Sequence, residues 1–161
     1  VPDLRWKRRD LKTTGLLAQV LAKQQAAEAG AQEAWMIDDD GFVTEGASSN
    51  AWIVTEAGAL VTRQADESIL KGVTRSSLQA LCAAQGLVVE ERPFTLAEAL
   101  GAREAFVSSA STFATPVIRI DGRPIGGGVP GTFVAQLRSA YLAYAETRGL
   151  DAESSVPWRA G

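Results

Sequence analysis

With 161 residues, of which 46% are hydrophobic, the chain has the size and composition of one soluble globular domain with a substantial core. Its formal net charge of −3 disfavours a nucleic-acid-binding protein, which needs a concentrated basic face to neutralise phosphates. The chain has no histidine and one cysteine, which excludes Ser-His-Asp triads, histidine-ligated zinc, cysteine metal cages and any intrachain disulfide.

The N-terminal segment shows no secretory signal pattern, and no apolar run along the chain approaches membrane-spanning length. Together with the single cysteine, this predicts a cytoplasmic protein that has neither a membrane nor a nucleic acid as partner. The chain begins at Val1 rather than Met, which indicates a fragment or a trimmed chain. A short basic cluster at residues 5–9 is either a solvated terminal stretch or an anion site near Arg5.

The first predicted helix is capped by Thr13 or Thr14, runs to about Ala29 and stops at Gly30. Its predicted apolar face consists of Leu16, Leu17, Val20, Leu21 and Ala22. Four short strands are expected to follow as a β meander, at residues 34–37, 42–44, 51–55 and 59–62. The aspartates at 38–40 predict a turn, because they lack the spaced ligands and the closing glutamate of a calcium loop.

The second half of the chain alternates helices and strands. We expect a close backbone approach at Gly72, followed by a helix that starts at Thr74 or Ser76 and ends at Gly86. The next strand is expected at 87–90.

A capping box formed by Thr95 and Glu98 predicts a short helix after that strand. The remaining predicted elements are a strand running into a hydroxyl-rich turn (104–112), a strand and hairpin (115–126), an amphipathic helix (130–147) and an irregular tail (150–161). The sum is a single α/β (α+β) domain of mixed strands and about four helices, spanning residues 1–149.

Three stretches place small or polar residues where a strand ends or a helix begins. A lysine that loses its water can attack a carbonyl, so Lys12 is a candidate nucleophile, although a surface lysine is the simpler interpretation. Helix starts with neighbouring hydroxyls bind phosphate, as at Thr74 and in the turn at 108–112, although such residues often serve only as caps. Glu45 is a lone acid among small residues. Together these features match a pyridoxal phosphate site, which needs an amine, a phosphate pocket and an anion facing the pyridine nitrogen.

Four stretches follow one another in a recognisable order: DLKTTGLLAQVLAKQQAAEAGAQEAWMID (10–38), GFVTEGASSNAWIV (41–54), ILKGVTR (69–75) and FVSSASTFATPVIRIDG (106–122). They resemble the class IV (fold-type IV) aminotransferases, and most of all the D-amino-acid transaminases among them. The resemblance covers about residues 4–147 and implies the large domain of that fold, a mixed β-sheet or pseudo-barrel flanked by helices. It also implies pyridoxal 5'-phosphate as cofactor.

The resemblance implies that Lys12 is the catalytic lysine that forms a Schiff base with the cofactor, and that Glu45 pairs with the pyridine nitrogen. Ser48 and Asn50 are expected to fix the turn beside Glu45. The full set of implied cofactor-binding residues is Arg5, Glu45, Ser48, Leu70, Gly72, Val73, Thr74, Ser109, Ala110 and Ser111.

Individual roles also follow from the resemblance. Leu70 is expected to pack under the ring, while Val73 and Thr74 bind the phosphate through their amides and the Thr74 hydroxyl. Relatives place a threonine where this chain has Ala110. The Ser111 amide, or a hydroxyl of Ser109 or Ser111, is therefore expected to make the second phosphate contact.

Arg5 matches an arginine near the cofactor and is expected to face Glu33. Both residues are assigned a supporting role.

The implied reaction converts D-alanine and 2-oxoglutarate into pyruvate and D-glutamate, with small-molecule substrates and a homodimeric enzyme. Branched-chain L-amino-acid transaminase, aminodeoxychorismate lyase and R-selective amine transaminase activities remain as alternatives, because they share the same cofactor site. A non-catalytic fragment or cofactor-binding remnant is a further alternative. The smaller N-terminal domain of the family is absent from this chain, and activity is expected to require it.

Overall fold

The computed structural model describes the backbone of residues 1–155 and the side chains of residues 1–147. The strands are β1 (Trp35–Ile37), β2 (Val43–Gly46), β3 (Asn50–Val54), β4 (Leu60–Thr62), β5 (Val89–Glu91), β6 (Glu104–Ser109), β7 (Phe113–Pro116), β8 (Arg119–Ile120) and β9 (Arg123–Pro124). The helices are α1 (Leu17–Glu28), α2 (Val73–Ala84), α3 (Leu96–Leu100) and α4 (Thr132–Ser155).

A five-stranded mixed sheet of order β5-β4-β3-β6-β7 forms the centre of the fold. Its pairs are antiparallel except β4 with β5. The predicted β meander is wrong at one point, because among the described strands β1 and β2 pair only with each other and form a separate two-stranded sheet. A tight turn, closed by the Gly46 amide donating to the Ser49 carbonyl at 2.7 Å, separates β2 from β3.

Both faces of the central sheet are buried. On one face Trp52 and Phe106 stack with ring centroids 5.4 Å apart, beneath Leu78 of α2 and Val134 of α4. The opposite face packs against the β1–β2 hairpin and α3. All five residues of β3 are buried for this reason, which accounts for its almost continuous apolar sequence.

Helix α1 differs most from its prediction. It begins at Leu17 and not after Thr13 or Thr14, and its first turn has no side-chain cap. Its buried residues are Ala22 and Ala26, which pack near Met36 of β1. The side chains of Leu16, Leu17, Val20 and Leu21 are 48%, 71%, 58% and 52% exposed. The predicted apolar face of α1 is therefore a surface and not a core contact within the described residues.

The other helices agree closely with the sequence. Helix α2 starts at Val73 with Gly72 as its N-cap, one residue before the first predicted start. The capping hydroxyl of Thr95 accepts from the Glu98 amide at 3.2 Å, as predicted. Helix α4 continues to Ser155, beyond the predicted start of the irregular tail, and residues 156–161 lie outside the described part. Over the described residues, no helix is both long and apolar enough to cross a membrane.

A buried carboxylate connects the central sheet to α4. Glu104, at the start of β6, accepts hydrogen bonds from the amides of Phe133 at 3.1 Å and Val134 at 3.0 Å, in the first turn of the helix. A Cβ atom at Gly131 would lie 1.9 Å from Glu104 Cδ, so a larger residue there would displace the Glu104 carboxyl from the helix start. The carboxylate satisfies two amides that the helix itself leaves without acceptors.

We expect Glu104→Gln to lower the free energy of unfolding by about 1–2 kcal/mol, because a neutral amide has one acceptor oxygen and its NH₂ group faces a donor. Urea denaturation followed by circular dichroism measures this change. Glu56→Gln is the control, since Glu56 lies exposed in the β3–β4 turn. An equal loss in both variants would contradict the capping role.

Candidate functional site

A cavity of about 830 Å³ opens between the N-terminal segment, the start of α1, the β2–β3 turn, the loop before α2 and the end of β6. Its size is in the range of small-molecule and cofactor sites. All the predicted site residues except Ser111 line it, namely Arg5, Lys12, Glu45, Ser48, Leu70, Gly72, Val73, Thr74, Ser109 and Ala110. Side chains from five separate segments therefore meet around one space.

Glu45 lies in β2 with its buried side chain at the wall of the cavity. Its Oε1 accepts from Arg5 Nη1 and, at 3.1 Å, from the Leu70 amide. Its Oε2 accepts from Asn50 Nδ2 at 2.9 Å. An ionised carboxylate offers about four acceptor positions, so one position on Oε2 stays open within the described structure. A buried carboxylate with one open acceptor fits a ligand that presents a protonated ring nitrogen.

The pKa of Glu45 is raised above its ordinary value. Burial is the main cause, although the Arg5 charge and the hydrogen bond from the Leu70 amide act in the opposite direction. The carboxyl therefore holds a proton more strongly than an exposed glutamate does.

Asn50 positions Glu45 by joining β3 to the loop before α2. Its Nδ2 donates both to Glu45 Oε2 and to the Leu70 carbonyl, each at 2.9 Å. A Cβ atom at Gly72 would lie 2.3 Å from Asn50 Oδ1. The close approach predicted at Gly72 is thus confirmed, and the group that approaches is Asn50.

The expectation that Arg5 faces Glu33 is wrong. Arg5 lies between two other carboxylates: it donates to Asp3 through Nε at 2.9 Å and Nη2 at 2.7 Å, and to Glu45 through Nη1. Glu33 instead accepts from the Ser48 hydroxyl at 3.3 Å. Asp3 reaches Arg5 across one intervening residue in an extended segment, and the sequence analysis did not single it out.

The lining of the cavity is positively charged. Lys12 lies exposed on the stretch before α1, and its side chain makes neither an ion pair nor a hydrogen bond with any described residue. Lys71, which the sequence analysis also missed, lines the same cavity. Arg5, Arg9, Lys12 and Lys71 give four cations against the one lining carboxylate, in a chain whose net charge is −3. This distribution favours an anionic ligand.

The N terminus of α2 supplies donors to the cavity. Ser76 is the first residue of the helix whose amide bonds to a backbone carbonyl, that of Gly72 at 3.0 Å. The amides of Val73, Thr74 and Arg75 have no acceptor, and the hydroxyl of the buried Thr74 has no partner, among the residues that the structure describes. Free amides at a helix N terminus form an anion site.

The side chain of Arg75 fixes this end of α2 against the sheet. It is fully buried and donates to the Arg63 carbonyl at 2.8 Å and to Glu91 at 2.6 Å. Its guanidinium carbon lies 6.0 Å from the ring centroid of Trp52. The free amides of α2 are therefore held in a rigid frame.

The hydroxyl-rich turn after β6 contributes Ser109 and Ala110 to the cavity, but not Ser111. The Ser109 hydroxyl lies 3.3 Å from that of Ser111 and 2.8 Å from that of Thr112, so these hydroxyls engage one another. Phe113 follows with a φ of +60°, a strained value for a residue with a side chain. The hydroxyls of Ser111 and Thr112 thus gather around that of Ser109 at this tight turn.

Comparisons with known proteins agree with this arrangement. The family model for class IV amino-transferases matches residues 1–120. A D-alanine aminotransferase of Bacillus licheniformis is 41% identical over 138 residues, which cover 86% of this chain and 48% of the relative. A putative branched-chain-amino-acid aminotransferase of Methanocaldococcus jannaschii is 39% identical over 131 residues, which cover 81% of this chain and 45% of the relative.

A solved structure confirms the predicted fold class. The branched-chain amino acid aminotransferase of Thermobaculum terrenum, in its PLP-bound holo form, aligns with a TM-score of 0.80 at 29% identity. The alignment covers 92% of this chain and 48% of that one. The chain spans about half the length of the curated relatives it matches.

The raised pKa of Glu45 predicts a specific pH dependence of stability in the cofactor-free chain. Because the folded state holds this proton more strongly than the unfolded state, the contribution of Glu45 to the free energy of unfolding falls as the pH rises from 4.5 through the raised pKa. Glu45→Gln should remove this decrease. Urea denaturation at a series of pH values between about 4 and 8 tests it, with Glu56→Gln as the control that keeps the decrease. A parental pH profile in Glu45→Gln would contradict the assignment.

Proposed function

This chain belongs to the class IV aminotransferase family, and we propose that it forms the cofactor-binding part of a pyridoxal-phosphate-dependent enzyme that transfers amino groups from D-amino acids. The proposed reaction of the complete enzyme converts D-alanine and 2-oxoglutarate into pyruvate and D-glutamate. One observation carries the proposal: Lys12, Glu45 and the N terminus of α2 line a single, positively charged cavity. The similarity to D-alanine aminotransferases supports the choice of D-amino acids.

The described residues fit the phosphate of this cofactor. The free amides of Val73 and Thr74 and the Thr74 hydroxyl would bind it, with the turn at Ser109 and Ala110 as a second contact. Leu70, beside Glu45, would pack against the ring. The positive lining would add to the affinity for a dianionic group.

The cofactor supplies an aldehyde that takes up the amino group and a ring that withdraws electrons from the α-carbon of the substrate. Lys12 would provide the amine that holds the cofactor covalently, and it would then move a proton at the substrate α-carbon. Glu45 Oε2, which accepts one hydrogen bond from Asn50, would use its open acceptor position to keep a proton on the ring nitrogen. Neither role requires histidine, which this chain lacks.

Branched-chain L-amino-acid transamination is the second candidate. It is supported by the 39% identical relative and by the solved structure with a TM-score of 0.80, both named as branched-chain aminotransferases. Aminodeoxychorismate lyase activity and a non-catalytic, cofactor-binding role remain alternatives with the same site.

The complete enzyme is proposed to contain a smaller N-terminal domain and to act as a homodimer. The exposed leucines and valine of α1, beside the cavity, support a covering partner. The cytoplasm is the proposed location, and the free, buried thiol of Cys82 supports a reducing compartment.

Incubation with pyridoxal phosphate followed by borohydride reduction should attach the cofactor to Lys12, because reduction makes the carbon–nitrogen bond permanent. Peptide mass spectrometry locates the label. Lys12→Ala should lose it, whereas Lys71→Ala, the same change at another lysine of the same cavity, should keep it. Labelling of Lys71 in place of Lys12 would overturn the assignment.

In the complete enzyme, which carries the N-terminal domain that activity is expected to require, Glu45→Gln should retain this label. It should slow amino transfer from D-alanine by about 10²-fold or more, because an amide holds the ring proton poorly. The measurement is the loss of the visible absorption of the lysine-bound cofactor after mixing with D-alanine. Faster loss with L-leucine would favour the branched-chain alternative. Labelling of Lys12 without any absorption change for either amino acid would favour the non-catalytic one.

A further inference from the structure

Asp3 is the most completely engaged carboxylate near the cavity. Its side chain is fully buried, and it accepts from Arg5 Nε and Nη2 at 2.9 and 2.7 Å and from the Thr44 hydroxyl at 2.7 Å. The Arg5 amide donates to Oδ1 at 3.2 Å, and Arg9 Nε lies 3.1 Å from Oδ2. Its acceptor positions are thus filled.

Asp3 is not among the residues that line the cavity. Its ion-pair partners Arg5 and Arg9 do line it, and so does Glu45, the other partner of Arg5. A filled acceptor set outside the cavity excludes direct contact with a bound ligand. Any effect of Asp3 on the site must act through the residues that it holds, chiefly Arg5, or through its charge.

We propose that Asp3 is a positioning residue that holds the Arg5 guanidinium on Glu45 Oε1, so that Oε2 keeps one acceptor open to the cavity. The paired N–H groups on one edge of the guanidinium are fixed by Asp3, which leaves Nη1 to meet Glu45. The inference concerns the ring-nitrogen contact and therefore rests on the proposed function.

Asp3 also offsets the effect of the Arg5 charge on the pKa of Glu45. The Arg5 charge lowers the pKa of Glu45, and the Asp3 charge raises it. The other direct partners of Glu45, Asn50 and Leu70, are uncharged. Among the described residues Lys12 and Lys71 line the same cavity but make no ion pair with Glu45. Asp3→Asn keeps a side-chain oxygen that can accept from Arg5 but removes the negative charge, so it should lower the affinity of Glu45 for a proton.

The first test uses the cofactor-free chain and does not depend on the proposed function. In protein labelled with ¹³C at the glutamate carboxyl, the Glu45 signal is identified by its loss in Glu45→Gln. Its titration midpoint should move to lower pH in Asp3→Asn. Asp10→Asn is the matched control, because Arg8 binds Asp10 through the same two-bond geometry at 2.9 and 2.8 Å, but on the surface and outside the cavity. No movement in Asp3→Asn, or an equal movement in Asp10→Asn, would overturn the inference.

A second variant shows whether Asp3 acts through Arg5. Arg5→Gln should move the Glu45 midpoint to higher pH, and Asp3→Asn added to it should move the midpoint less than it does when Arg5 is present. Equal effects of Asp3→Asn with and without Arg5 would overturn the positioning role. The double variant buries neither charge of the Asp3–Arg5 pair. It can therefore still be compared with Arg5→Gln if Asp3→Asn alone does not fold.

The loaded chain then tests the effect on the ring nitrogen. With ¹⁵N-labelled pyridoxal phosphate bound, the pH at which the ring nitrogen loses its proton should fall in Asp3→Asn and stay unchanged in Asp10→Asn. An unchanged ring nitrogen, alongside a shifted Glu45 midpoint in the free chain, would overturn the extension to the cofactor. Failure of the chain to bind pyridoxal phosphate would count against the proposed function and leave the cofactor-free result to decide the Asp3–Arg5–Glu45 coupling.

Discussion

The burial of one carboxylate, Glu45, sets the geometry of the site. A carboxylate removed from water is stable only when donors replace that water. The donors come from three segments that are distant in sequence, at Arg5, Asn50 and Leu70. The N-terminal segment, β3 and the loop before α2 must therefore keep a fixed relation to β2, and the glycine at 72 is a consequence of the space that Asn50 takes. The cavity exists where these segments converge.

The sheet and the site have different tasks. The central sheet is packed on both faces and is therefore rigid. The buried Arg75 side chain fixes the start of α2 to it through a hydrogen bond to the Arg63 carbonyl. The candidate catalytic and binding groups lie at strand ends, in turns and at a helix N terminus, where backbone donors are free and side chains line a cavity. An acidic chain can in this way present a positively charged pocket, because a few cations are gathered at one place.

Much of the fold could be predicted because local signals are strong. The apolar run of β3, the glycine before α2 and the Thr95 cap are each visible in a few consecutive residues, even where their cause is a distant contact. The predicted start of α1 is wrong because Thr13 and Thr14 have the pattern of N-caps, whereas the observed helix begins at Leu17 without a side-chain cap. Periodicity placed the leucines and Val20 of α1 on one face, but it carries no information on what that face contacts.

The candidate site was predictable for residues in motifs and not for their supports. Lys12, Glu45 and Thr74 are marked by their small or hydroxyl-bearing neighbours, and all three line the cavity. The partners of Arg5 were not predictable, because they depend on how an extended terminal segment lies against β1, which brings Arg5 to Glu45 of β2. Lys71 was missed for a similar reason, since a lysine before a glycine in a loop has the pattern of an ordinary surface residue.

The unequal exposure around the cavity has an evolutionary consequence. The residues that surround Glu45 are buried and mutually dependent, so a change at one of them disturbs several others. The leucines at the start of α1, on the opposite rim, are largely exposed and constrain little else in the described structure. Sequence drift can therefore alter the rim while the carboxylate site is retained.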